Sequence, residues 1–236
     1  MSRINLKDRI HQGLFLLDGA MGTQLFERGL DIGKCNDYQN IEAPDKVLDV
    51  HRAYIQAGSD AVLTNTFGAN KFTLGRHGLG EMVEKINLAG AKIARKAAGK
   101  EKYVLGDIGP SGDFLEPLGT LNPDDLKDAF AQQAKALLKG GVDGFIIETM
   151  TAIDEIIVAV EAVKSVAGLP VFASMSFGRA GDDFRTMMGT DIETAFAKIV
   201  PLGVDAIGFN CGTMSLDDYV ELTVKFVAAA RGHGKN

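Results

Sequence analysis

Long apolar runs, basic clusters, cysteine pairs and a secretory leader are all missing from this 236-residue chain, and each absence excludes something. No uninterrupted apolar stretch approaches the roughly 18 residues of a membrane-spanning helix. Against 31 acidic residues there are only 25 basic ones, for a net charge of −6, and the basic residues form no run, which argues against nucleic acid as the main partner. Only two cysteines occur, Cys35 and Cys211, far apart in sequence; a disulfide framework is therefore not expected, and metal or redox use remains open. The first residues, Met1 to Arg9, alternate charged and apolar side chains without the apolar segment of a signal peptide, so a cytoplasmic location is expected.

What is present is a repeat of one pattern. Short apolar runs centred near residues 16, 62, 104, 146, 172 and 207 each end in polar or glycine-rich residues and are followed by a segment of helical spacing. Leu14-Phe-Leu-Leu17 leads to Asp18-Gly-Ala-Met-Gly22, then an irregular stretch over 23–45 and a helix over 45–57. Ala61-Val-Leu63 leads to Thr64-Asn-Thr-Phe-Gly68 and a helix over 81–98, and Tyr103-Val-Leu105 to Gly106-Asp-Ile-Gly-Pro-Ser-Gly112 and a helix from Pro123 to Gly140. Gly144-Phe-Ile-Ile147 ends in Glu148-Thr149 before a helix over 152–167. Pro170-Val-Phe-Ala173 ends in Ser174-Met-Ser176, a loop and a helix over 191–200. Asp205-Ala-Ile-Gly-Phe-Asn-Cys-Gly212 precedes a helix over 216–230, with Ser215 as its N-cap and a polar tail from Arg231 to Asn236.

Continuously apolar strands alternating with amphipathic helices predict an α/β fold with a parallel sheet, open or closed. The closed (β/α)8 barrel, the TIM-barrel type, is preferred because nearly every strand ends in a group capable of chemistry, and a barrel converges all its strand ends on one mouth. Only six of the eight units are counted, so the expectation is one domain over 1–236 that is C-terminally incomplete, its last two strands supplied elsewhere or by self-association.

Each polar strand end has an ordinary and a chemical reading. Asp18 before Gly19 is a turn former or a ligand binder. Glu148 directly after Phe-Ile-Ile calls for a cation, because an unpaired buried carboxylate is costly. Cys211 is a small buried hydrophobe or a metal ligand. Gly106 to Gly112 does not fit the dinucleotide fingerprint. His11, His51, His77 and His233 lack ligand spacing and are read as surface residues, and Met187 and Met188 as packing. No strand ends in lysine, which disfavours a Schiff-base aldolase.

Taken in order, Asp18-Gly-Ala-Met-Gly-Thr23, Val50-His51 through Ala57-Gly-Ser-Asp60, Leu63-Thr-Asn-Thr-Phe-Gly-Ala69, Gly106-Asp-Ile-Gly-Pro110, Gly141-Val-Asp-Gly144 with Ile147-Glu-Thr149, and Gly208-Phe-Asn-Cys-Gly212 resemble the homocysteine S-methyltransferase family. The likeness is closest to the N-terminal homocysteine-binding barrel of its cobalamin-dependent methionine synthases. The resemblance implies methyl transfer to the thiol of homocysteine, giving methionine. It also implies a zinc ion held by three cysteine thiolates, which would stabilise the substrate thiolate. Cys211 matches the first of those cysteines; the other two form an adjacent pair that this sequence lacks, and Cys35 matches none. By the same resemblance Asp18, Gly19 and Glu148 hold the amino acid end of homocysteine, Asn210 lies beside the metal, and Asn65 and Asp107 shape the mouth. The donor it implies is methylcobalamin on a corrinoid-binding domain or protein, with betaine or S-methylmethionine as alternatives. With a single family cysteine, weak or no activity is expected of this chain alone. The reading from another class is a non-catalytic small-molecule-binding or accessory protein completed by a partner chain.

Overall fold

A computed structural model describes residues 3–31 and 33–234; Met1 and Ser2 of the charged N-terminus and Lys235 and Asn236 of the polar tail lie outside the described residues. Seven strands are present among them: β1 (Ala61–Leu63), β2 (Tyr103–Ile108), β3 (Gly144–Met150), β4 (Val171–Met175), β5 (Phe177–Ala180), β6 (Asp183–Thr186) and β7 (Ala206–Phe209). Five of them form one parallel sheet in the order β1-β2-β3-β4-β7, and β5 pairs with β6 in a separate antiparallel hairpin.

Ten α-helices accompany them: α1 (Leu6–Arg9), α2 (Met21–Glu27), α3 (Gln39–Glu42), α4 (Pro44–Ala57), α5 (Lys71–Gly75), α6 (Val83–Ala98), α7 (Pro123–Lys139), α8 (Ile153–Val166), α9 (Ile192–Ile199) and α10 (Leu216–Gly232). Local chemistry sets their ends. Pro44 and Pro123 occupy first turns, where a missing N–H costs nothing, and Asn122 caps α7 by accepting from the Asp124 amide at 2.9 Å. Ser215 and Asp218 form a reciprocal capping box at the start of α10. Gly58 ends α4 at φ 113°, a conformation that a side chain would resist. None of these helices is long and apolar enough to cross a membrane.

The two faces of the sheet are sorted by the strand period of two. Val62, Val104, Phe145, Ile147, Val171 and Ala173 join Phe130, Leu137, Ile156 and Val160 in the main core under the helices. Ala61, Tyr103, Leu105, Ile146 and Phe172 form a second cluster on the inner face, closed by Leu6 of α1. A Cβ at Gly144 would stand 2.7 Å from Leu6 Cδ2, so this position stays glycine to admit the plug.

Three sequence expectations change. Leu14–Leu17 is extended but forms no ladder strand. Its Leu16 carbonyl accepts from the Asp60 and Ala61 amides at 2.7 and 3.2 Å, while Leu14 is 84% exposed and only Phe15 and Leu17 pack inward. The expected loops over 23–45 and 177–186 contain α2, α3 and the β5–β6 hairpin. His51, expected at the surface, is fully buried on α4 with both ring nitrogens unpartnered, and Met187 and Met188, expected in packing, are exposed.

Candidate active site at the strand ends

The parity that buries Tyr103, Leu105, Ile146 and Phe172 on the inner face continues past the strands. Asp107 stands in register with Ile146, Ile146 with Phe172 and Phe172 with Ala206. Stepping outward by two residues along each strand puts Asn65, Asp107, Glu148, Ser174 and Asn210 in the layers above, facing the same interior. All of these but Ser174 line a cavity of about 690 Å³ together with Asp18, Gly19 and Cys211, so the residues that the resemblance assigned to the site lie around one space. Cys35, Asp37 and His77 also reach this cavity, from the segment before α3 and from just beyond α5.

The cavity is acidic, with Asp37 and Asp107 buried and Asp18 and Glu148 partly so. Asp18 Oδ2 accepts from the Leu63 amide at 3.0 Å, while Oδ1 is buried without a partner. Burial, reinforced by the charge of Glu148, pushes Asp18 up to about 8 despite that hydrogen bond. Burial likewise pushes Glu148 up to about 7. Asp107 is 6% exposed with Oδ1 unpartnered; burial and then the charges of Glu148, Asp37 and Asp18 hold it well above the carboxylate range. Asp37 accepts from the Gly68 amide at 2.9 Å and is pushed up to about 6 by burial. Four carboxyls that cannot all ionise together, two of them with an oxygen left bare, make a site that gains by receiving a cation.

Asn65 serves the frame. Its Nδ2 donates to Asn36 O at 2.8 Å and to Asn40 Oδ1 at 3.2 Å, tying the segment before α3 to β1. Gly19 lies against Tyr54, whose hydroxyl would meet a Cβ at 2.9 Å and donates to Ala20 O at 3.0 Å.

Cys211 lines the same cavity, exposed, at φ 58°. Thr149 has φ 61°, and it sits where the β3–β4 register slips: Ile147 pairs with Ala173 but Met150 with Met175, three steps against two. This is a β-bulge, which turns side chains out of the ladder's alternation. Left-handed backbone at a non-glycine residue costs on the order of 1–3 kcal/mol and persists where neighbours enforce it. The enforcer is the Asn210 side chain: Oδ1 accepts from Thr149 N at 2.9 Å and Ser174 Oγ at 2.6 Å, and Nδ2 donates to Thr149 Oγ1 at 2.7 Å. Sequence reasoning had not assigned Thr149 a role of its own, nor Asp37 and Tyr54; a bulge and a long-range hydrogen bond carry no local signature.

A zinc site does not fit these residues as they stand. No group of three or more His, Cys, Asp or Glu among the described residues could hold a metal ion. Cys211 is one soft donor, and Cys35 is engaged with Asp37 at 3.8 Å.

The family model of homocysteine S-methyltransferase matches residues 15–231. Among curated proteins, the methionine synthases of Mycobacterium tuberculosis and Mycobacterium leprae are 35% and 34% identical to the chain over 226 residues, 89% of its length. The matched region spans about a fifth of these relatives, 19% and 18% of their chains. Among solved structures, the metallated and apo forms of the Escherichia coli homocysteine methyltransferase MmuM superpose with TM-scores of 0.75 and 0.66 at 24% identity, over 90% of this chain and 79% and 76% of theirs. At that identity the match speaks to the fold, which is α/β of the (β/α)8 barrel type.

Proposed function

Since the chain belongs to the homocysteine S-methyltransferase family, we propose that its 236 residues are one homocysteine-binding domain that presents this amino acid to a methyl donor. The observation that carries the proposal is the pairing, in one cavity, of an acidic wall with bare carboxylate oxygens and a sulfur-bearing wall at Cys211. Homocysteine has the complementary ends, an ammonium and a thiol.

Asp18 and Glu148 take the ammonium, and Asp107, held at their side, adds to the negative potential once the ligand arrives. An ammonium favours the ionised carboxylates, so binding releases protons that the empty site holds. Asn65 and Gly19 keep the mouth open to a slender chain. The homocysteine sulfur is directed to Asn210 and Cys211. The reaction makes one S–CH3 bond, breaks one bond from methyl to its carrier and releases the thiol proton; the residues of this chain contribute positioning and exclusion of water.

Zinc is retained as a reading of the resemblance, with Cys211 as one donor; the described residues do not supply the rest, and no step is derived through a metal. Methylcobalamin on a corrinoid-binding domain or partner is the donor we favour. Two points support it: the likeness to methionine synthases far longer than this chain, and the lack of a glycine-rich S-adenosylmethionine loop of the Rossmann kind. A cytoplasmic location and a place in methionine biosynthesis go with this reading. The second reading, a binding or accessory protein, is favoured by the missing metal donors.

Calorimetric titration tests the binding step. Homocysteine is expected to bind with proton release, and 4-mercaptobutanoate, which lacks the amine, to bind at least tenfold more weakly, as expected for loss of a charge-assisted contact. Equal affinity for both would refute the assignment of the acidic wall. Binding of homocysteine without zinc uptake or methyl transfer, even with a methylcobalamin-loaded partner present, would select the accessory reading.

A further inference from the structure

The hydrogen atoms around Cys211 can be counted without ambiguity. The Thr149 backbone amide can only donate, and it points at one oxygen of the Asn210 side chain at 2.9 Å, together with the Ser174 hydroxyl at 2.6 Å. That atom must be the carboxamide oxygen, so the amide cannot be flipped. Its NH2 group is thereby fixed on the other side, where it donates to Thr149 Oγ1 at 2.7 Å and to Cys211 Sγ at 3.4 Å. Thr149 Oγ1 accepts from Asn210, which leaves its own proton free to turn to Cys211 Sγ at 3.5 Å. Two donors therefore converge on the sulfur, and both are set by one backbone N–H at the bulge. The Cys211 carbonyl is held separately by the Tyr219 hydroxyl at 2.7 Å, so the main chain of this residue is pinned from the opposite direction.

We infer that Thr149 is a positioning residue of the site: its amide orients Asn210, its hydroxyl donates to the Cys211 sulfur, and together they hold that sulfur as a hydrogen-bond acceptor facing the cavity. The bulge in β3 is the device that brings the threonine there, since uninterrupted pairing with β4 would leave it in the ladder's alternation. The inference takes from the proposed function only that the Cys211 sulfur is the working group on its wall.

The test reads the sulfur directly and needs no homocysteine. In a Cys35→Ser background, metal-free protein is alkylated with iodoacetamide at one fixed, near-neutral pH. Thr149→Val keeps the β-branched shape and the backbone preference but loses the hydroxyl; its Cys211 is expected to react roughly tenfold more slowly, as for loss of a hydrogen bond to a charged acceptor. Thr149→Ser restores the hydroxyl and is expected within about twofold of the parent, since the bond is remade. Should Thr149→Val fail to fold, Thr149→Gly takes its place: glycine tolerates the left-handed backbone, so slower alkylation is expected with an equal or higher melting temperature. A hydroxyl-less variant that folds and keeps the parent's rate overturns the inference, as does a Thr149→Ser variant slowed as much as Thr149→Val. If the parent fails to bind homocysteine yet these variants behave as expected, the proposed function falls and the role of Thr149 stands.

Discussion

Two kinds of buried titratable group pull the stability of this protein in opposite directions with pH. Asp18, Asp37 and Glu148 have native values of about 8, 6 and 7, against ordinary values of 3.8, 3.8 and 4.5. A native value raised above the unfolded one means that the folded state keeps protons which the unfolded state releases. The associated stability is full on the acid side and is lost as pH rises through about 6 to 8. The ligand-free protein should accordingly show a denaturation midpoint that falls over this range, and Asp18→Asn should flatten the fall; an unchanged slope in the variant would contradict the burial of that carboxyl. His51 does the reverse. Burial lowers it from 6.5 to about 4, so the unfolded chain takes the proton first and stability drains as pH falls between those values. Complete, this linkage is worth about 3 kcal/mol, and His51→Leu should remove the acid loss in urea titrations at pH 4 to 6.5. The sequence could not show which side His51 takes. The spacing of Val47, Val50 and Tyr54 marks the inner face of α4 correctly, but position 51 lies on its shoulder, where only packing decides. That Asp18, Glu148 and Cys211 reach one cavity was legible because Asp18 and Glu148 follow an apolar run directly and Cys211 comes one residue later, after Asn210, at the place where a strand can deliver a polar group.

At the scale of elements, α10 shows how one anchor fixes a helix. Phe226 is 6% exposed and sets its ring 5.0 Å from those of Phe196 and Phe209 and 5.6 Å from that of Phe177. Phe226→Ala should cost about 3–5 kcal/mol in chemical denaturation, and because β7 leans on this cluster it should also disturb the Cys211 wall. Val224, two residues earlier and 66% exposed, should tolerate Lys within about 0.5 kcal/mol. Equal losses for the two variants would show that α10 is seated differently. The longer helices α4 and α6 to α10 were read from sequence to within two residues, since caps and apolar spacing agree along each, whereas the short α2, α3 and α5 were not. The errors fell on these short helices and on strands of few residues. In the β5–β6 hairpin only Phe177, Phe184 and Thr186 are buried, too sparse an alternation to stand out from a loop, although Gly181 at the turn was visible. Leu14–Leu17 erred the other way: four apolar residues suggest full burial, yet only alternate ones turn inward.

For the whole molecule, the repeated unit of strand, polar exit and helix was enough to give the fold, because parallel strands joined by helices have few arrangements and all send their ends to one side. What repetition cannot convey is how the edges are covered. β7 pairs with β4 alone and its four residues are only half buried, and α10 presents Leu216, Val220 and Val224 at 84%, 65% and 66% exposure. Surface of this kind drives association. Sedimentation at increasing concentration should reveal oligomers of this chain, and a Val220→Lys, Val224→Lys double variant should shift them toward monomer while leaving homocysteine titration unchanged. A monomer at all concentrations would show that this face is inert.

The bulge at Thr149 also makes the chain sensitive to its own length at one point. Removing that residue would let β3 and β4 run in step from Phe145 to the end of the ladder. The strained threonine would vanish with it, and Asn210 would lose the amide that orients it. A single-codon deletion here should thus yield a sheet that melts no lower than the parent's and a Cys211 that reacts like any exposed thiol. Fold and site compete for one residue, and the sequence has spent it on the site.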